Sequence, residues 1–220
     1  MSLPSNVHVS KHPCLRAKLS LLRSKSTPTR DTKALVNEIA TIVGCEALGA
    51  TLTAIDGPKD ETPIGFEYTT TTLEPQSLSL VPILRSGLGM VESIQTLLPT
   101  PVPVHHLGLY REPSTLEPVE YYNNLPQHQG VASVAIVLDP VIATGGTCAA
   151  AIQTLREWGV RRILVLSVIG AADGVRRAAA EWPEGVDIWT AGVDDELTPD
   201  GMLKPGVGDV GDRLFLTIGK

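Results

Sequence analysis

Five apolar runs, SLSLVPIL, TPVPVHHLGLY, VASVAIVLD, RRILVLSVIG and VDIWTAGV, recur between residues 77 and 193. Each reads as near-continuous hydrophobicity rather than alternation, the signature of strands covered on both faces. Helical patterns separate most of them. Strands of that kind are joined by crossover helices and lie parallel, so an α/β fold with a parallel central sheet is expected. A length of 220 residues, 43% of them hydrophobic, suits one domain spanning 1–220 rather than two. Within it, 1–77 would form N-terminal helices and a β-arm, and 78–220 the sheet core.

In the N-terminal part, PTRDTKALVNEIATIVGCEALGA places Leu35, Ile39, Ile42 and Val43 at helical spacing, with Asp31 in the first turn. The following stretch, TLTAIDGPKDETPIGFEYTTTT, has β-branched residues on both sides of an Asp56-Gly57-Pro58 break and predicts a projecting hairpin. A formal charge of −6 without a Lys/Arg block argues against nucleic acid or an anionic membrane as partner. Cys14, Cys45 and Cys148 are odd in number and form no CxxC, so neither a disulfide framework nor a zinc site is indicated. The opening MSLPSNVHVSKHP has no apolar core of a signal peptide, and no later stretch reads as a bilayer span. The expected location is cytoplasmic.

Ligands of open parallel sheets gather beyond the carboxyl ends of the strands. One such place is LDPVIATGGT, in which Ala143-Thr144-Gly145-Gly146-Thr147 joins the strand Val134–Leu138 to a helix with Cys148, Ile152 and Leu155 inward and Gly159 as its stop. Unpaired amides at a helix start, close approach at glycine and two hydroxyls together suit a phosphate. The same TGGT also serves as a plain strand-to-helix turn with threonine as cap. It is neither a Walker loop nor GxGxxG. Asp139, at the strand's end, can accept from the vicinal hydroxyls of a sugar, or simply cap the turn. In VPILRSGLGM, Arg85 leaves a strand end beside a Ser86-Gly87 turn, an arrangement suited to a second phosphate. Arg111 begins a long excursion in LGLYREPSTLEPVEYY. Finally, MLKPGVGDVGDRLFL crowds glycines around Asp209 and Asp212 before a strand-like RLFLTI, so main-chain groups can face a flat ligand. Adjacent His105 and His106 would face opposite ways in a strand and offer no paired metal site.

LVPILRSGLGM, LGLYREPSTLEPVEYY, LDPVIATGGT and KPGVGDVGDRLF, in this order, resemble the four signature stretches of the uracil phosphoribosyltransferase family, and KHPCLRAKLSLLR resembles its opening segment. The resemblance implies a type I phosphoribosyltransferase core with a smaller N-terminal hood. It implies the joining of uracil to 5-phospho-α-D-ribose 1-diphosphate (PRPP), giving UMP and diphosphate in pyrimidine salvage. Carried over by position, Asp139, Pro140, Val141, Ile142, Ala143, Thr144, Gly145, Gly146 and Thr147 match the PRPP loop, and Arg85 and Arg111 the diphosphate-side arginines. Leu203, Gly208, Asp209 and Val210 match the uracil contacts, with Asp209 also near PRPP. Arg85, Asp139 and Asp209 are the catalytic candidates, Asp209 being the one side chain suggested as base. Mg2+ would be held mainly through PRPP and water, with no dedicated protein metal site. The family further implies a homodimer or higher assembly and admits GTP as an effector. Val210 stands where many members have alanine, and Lys204 where an aliphatic residue is usual. Two alternatives stay open: a regulatory, catalytically weak PRPP-binding homologue, and a transferase for another base, such as a purine, which Lys204 could serve.

Overall fold

Each apolar run supplies a strand of one central sheet, and two of them continue into a second, smaller sheet. The structure, a computed structural model, describes residues 2–112, 118–126 and 131–217, with Arg111 described by its backbone alone. The chain opens with β1 (Val7–Val9), the helices α1 (Pro13–Arg23) and α2 (Thr29–Thr51), and the strands β2 (Thr53–Glu61) and β3 (Glu67–Glu74). There follow β4 (Leu78–Leu84), α3 (Leu88–Leu97), β5 (Leu107–Arg111), β6 (Pro118–Asn123), β7 (Val134–Leu138), β8 (Val141–Ile142) and α4 (Gly146–Trp158). The remainder is β9 (Arg162–Ser167), β10 (Ile169–Ala171), α5 (Ala172–Glu181), β11 (Val186–Thr190), β12 (Val193–Asp194), β13 (Glu196–Leu197), β14 (Leu203–Lys204) and α6 (Val210–Phe215).

Seven strands pair in the order β1-β11-β9-β7-β4-β5-β6, all parallel except the β5–β6 pair. Their continuous hydrophobicity has the expected cause. β7 sends Val134, Ile136 and Leu138 into a core shared with α1, α2 and α3, and Ala135 and Val137 into a second core under α4 and α5. β9 divides likewise, Leu164 and Leu166 to the first core and Ile163 and Val165 to the second. From β4 the chain steps outward to β5, then returns to the other side of β4 for β7, β9 and β11. That reversal opens a crevice outside the carboxyl ends of β4 and β7. A small parallel sheet, β12-β10-β8, lies just beyond those ends. It begins where the Pro140 carbonyl accepts the amides of both Val168 and Ile169 and the Ser167 hydroxyl, splitting the run RILVLSVIG into two strands.

Three expectations are corrected. Asp56-Gly57-Pro58 is not the tip of the β2–β3 hairpin but a bulge within β2, where the register shifts between Asp56 and Lys59. Its neighbour is Thr70, whose hydroxyl donates to the Pro58 carbonyl at 2.7 Å. The turn comes later, at Gly65, which has φ +86° and donates its amide to the Thr62 carbonyl. RLFLTI is not a strand. Asp209 caps a short helix by accepting the Asp212 amide at 2.9 Å, Val210 and Leu214 bury one face of it, and Leu216 ends it at φ +56°. Lastly, α2 is long and apolar enough to cross a membrane, with 23 residues and mean hydropathy 1.2. Its Val36, Ile39, Ala40, Val43 and Ala47 are buried in the first core, which accounts for that apolarity.

Candidate active site

The loops after β4 and β7 meet at the crevice. Gly87 lets them touch, because a Cβ there would lie 2.4 Å from the Leu138 carbonyl oxygen. After β7, Gly145 takes φ +79° as the residue preceding α4, so the chain turns sharply and delivers the first amides of the helix to the crevice. Behind the turn stands Gly174 of α5. A Cβ on Gly174 would lie 1.9 Å from the Ala143 oxygen, and one on Gly145 would lie 2.2 Å from the Gly174 oxygen. The loop therefore packs backbone on backbone, a support that nothing in AADGVRR announces. As expected, Cys148, Ile152 and Leu155 face inward and Gly159 closes α4 with φ +101°.

A cavity of about 220 Å³ joins this loop to the C-terminal segment. Asp139, Val141, Ile142, Ala143, Thr144, Gly145 and Thr147 line one side, and Leu203, Gly208, Asp209 and Val210 the other. Ser86, of the expected Ser86-Gly87 turn, also lines it, as do Cys148 and Met202, which carried no local signal for this role. Pro140 and Gly146 belong to the loop without lining the cavity: the Pro140 carbonyl is turned into the β9–β10 junction, and Gly146 is backed by the guanidinium of Arg177.

Asp139 is 6% exposed, and burial pushes its carboxyl up to about 7 although the Val141 amide, donating to it, works the other way. A half-ionised carboxyl with one backbone donor is short of partners, and neutral hydroxyls would supply them. Cys148, beneath it, has its thiol pushed up by burial and by the Asp139 charge, so it is a packing residue rather than a nucleophile. Arg85, next to the cavity-lining Ser86 but not itself part of the lining, is 53% exposed along its side chain and donates to Thr217 Oγ1 at 3.2 Å, with Asp212 Oδ1 at 3.5 Å. The peptide joining it to Leu84 is cis. Arg111 closes β5, and its side chain lies outside the described residues.

The C-terminal side of the cavity is tied down by partners from the far end of the chain. Asp194, 6% exposed, receives both Nη groups of Arg23, at 2.9 and 2.6 Å, and the Gly206 amide at 2.8 Å. Arg23 also donates to the Gly206 carbonyl. Arg213 donates to the carbonyls of Leu22, Ser24 and Val207 and to the Thr32 hydroxyl. Neither arginine carried a local sequence signal. Lys204 pairs with Glu196 at 2.7 Å across β13–β14 and does not line the cavity, nor does any aromatic side chain among the described residues. Both features weigh against a purine site. His105 packs edge-on against Trp158, and burial followed by His106 lowers its pKa. Among the described residues, no three His, Cys, Asp or Glu side chains converge as a metal cage.

The uracil phosphoribosyltransferase family model matches residues 9–217. A Finegoldia magna uracil phosphoribosyltransferase is 44% identical over 213 residues, 97% of this chain and 99% of its own. One from Natranaerobius thermophilus is 42% identical over 213 residues, with the same coverage of each chain. A solved Aquifex aeolicus protein, 29% identical, superposes with a TM-score of 0.86 over 96% of this chain and 98% of its own. The Trypanosoma brucei adenine phosphoribosyltransferase, 16% identical, shares the fold at a TM-score of 0.57 over 91% of this chain and 90% of that one.

Proposed function

The chain belongs to the uracil phosphoribosyltransferase family, and from that premise we propose that its cavity joins uracil to PRPP, releasing diphosphate and forming UMP in pyrimidine salvage. The observation that carries this reading is the meeting, in one small cavity, of a helix-start loop, a buried carboxyl and a glycine-rich main-chain segment. The amides and hydroxyls of Thr144–Thr147 hold the 5′-phosphate. Asp139 accepts from the ribose 2′- and 3′-hydroxyls, which fixes C1 opposite the base segment. The main chain at Leu203 and Gly208–Val210 reads the amide edges of uracil, with Val210 closing the pocket near the ring's carbon edge.

Displacement at C1 builds positive charge on the sugar and negative charge on the departing diphosphate. Arg85 exchanges Asp212 and Thr217 for the diphosphate and offsets the latter, with Arg111 assisting from β5. Asp209 is the carboxylate nearest the base and receives the N1 proton, while its Oδ1 keeps α6 capped. Phosphoribosyltransferases use Mg2+ with PRPP, and the two cavity-lining carboxylates, Asp139 and Asp209, are hard oxygen donors of the kind it favours. Asp139 and Asp209 are the residues that would hold it beside substrate and water, and when bound it would offset the charge of the diphosphate. We assign the enzyme to the cytoplasm and to a homodimer formed through the β2–β3 arm, whose Ile64 and Phe66 are 80% and 67% exposed. GTP remains a proposed effector. Incubating the protein with PRPP and radiolabelled uracil, with unlabelled cytosine, adenine, guanine and hypoxanthine as competitors, tests the reaction. Label should appear in UMP and resist all four; incorporation of a purine, or PRPP binding without UMP, would support the alternatives.

A further inference from the structure

A second cleft, of about 420 Å³, opens at the carboxyl ends of β1 and β11, on the same side of the sheet as the catalytic cavity but at its outer edge. Lys11, Arg16 and Arg23 line it, together with Ser10, Ser20 and Gly192. Leu19 supplies part of an apolar wall. In a chain of net charge −6, three cations around one hollow need a reason. Among the described residues, no hydrogen bond or ion pair engages the side chain of Lys11 or Arg16. The neighbouring carboxylates are otherwise occupied: Glu46 accepts the Ser10 hydroxyl at 2.9 Å, and Asp194 is filled by Arg23 and the Gly206 amide. Arg23 commits three N–H donors, two to Asp194 and one to the Gly206 carbonyl, of the five a guanidinium carries. Two donors are left for a guest.

We propose that this cleft binds the phosphate group of a small molecule between Lys11, Arg16 and Arg23, and that its occupancy steadies the uracil-binding segment. The route is one residue long. Arg23 touches the cleft on one side and grips Asp194 and Gly206 on the other, and Gly206 lies between Leu203 and Gly208. An anion on the spare donors holds the guanidinium in the orientation that Gly206 requires, so less freedom is lost when the base enters. The binding stands on the cleft alone, whereas the coupling rests on the assignment of that segment to uracil.

The test titrates inorganic phosphate, and separately glycerol 3-phosphate, into enzyme saturated with UMP, by calorimetry at ionic strength matched with sodium chloride. Wild type should bind, and the doubly substituted Lys11→Ala/Arg16→Ala protein should lose that event while keeping its affinity for UMP. Tighter binding of the ester than of the free anion identifies an organic phosphate as the guest, and equal binding identifies phosphate itself. No binding by wild type, or the same binding by the double variant, overturns the site. At saturating PRPP, phosphate should lower KM for uracil about fivefold in wild type and leave the double variant unchanged. An unchanged wild-type KM rejects the coupling. Failure of UMP to bind counts against the proposed reaction instead, because the loss of phosphate binding in the variant is read without it.

Discussion

Asp139 carries both a cost and a task. Its carboxyl is pushed from 3.8 up to about 7 in the folded chain, so between these values the native state holds a proton that the unfolded state gives up. The ligand-free protein should therefore lose stability as pH rises through this window, by on the order of 4 kcal/mol in total, and lose no more above it. Thermal unfolding of Asp139→Asn should show no such fall, leaving the variant more stable than wild type at pH 8. Its turnover should drop at least about a hundredfold, as when one stabilising contact to the reacting sugar is removed. Arg85→Ala belongs to the opposite case. The side chain is half exposed and its Asp212 contact is 3.5 Å, so its removal should move unfolding by about 0.5 kcal/mol or less while turnover falls by orders of magnitude. Near-normal kinetics in either variant would remove that residue from the mechanism. The place of Asp139 at a strand end was legible in LDPVIATGGT, but its burial was not, since burial is set by what packs over the strand from elsewhere in the chain.

Among the elements, the α4 loop is held by a partner that only the fold reveals. Gly174→Ala would place a methyl 1.9 Å from the Ala143 oxygen, and Ala143 is part of the proposed phosphate loop. A loss of about 1–3 kcal/mol is expected, together with a raised KM for PRPP and little change in KM for uracil, measured by initial rates. Equal effects on both substrates would mean that the loop transmits the distortion beyond the phosphate. Local patterns announced α2, α4 and the buried strands because periodicity and apolar runs are properties of consecutive residues. They misled at α6 and at Asp56-Gly57-Pro58. RLFLTI is apolar enough for a strand, yet the cap at Asp209 starts a helix first; the proline is held in a bulge of β2, where Thr70 donates to its carbonyl.

The whole molecule shows a sequence-legible sheet and a site closed by contacts that the sequence hides. Strand runs and their intervening helices dictated parallel order, and the reversal beside β4 placed the crevice. The links from Arg23 to Asp194 and from Arg213 to Leu22 span more than 170 residues and leave no local mark. Arg213→Ala should cost about 3 kcal/mol by chemical denaturation, the worth of one or two charge-assisted hydrogen bonds, and should weaken uracil binding. If the arm joins two copies, Ile64→Asp/Phe66→Asp should sediment as a monomer that still melts cooperatively. Because Arg23 of α1 and Gly206 stand 183 positions apart, a growing chain can join them only after every strand of the sheet between has been made, and the proposed uracil segment is among the last parts to order.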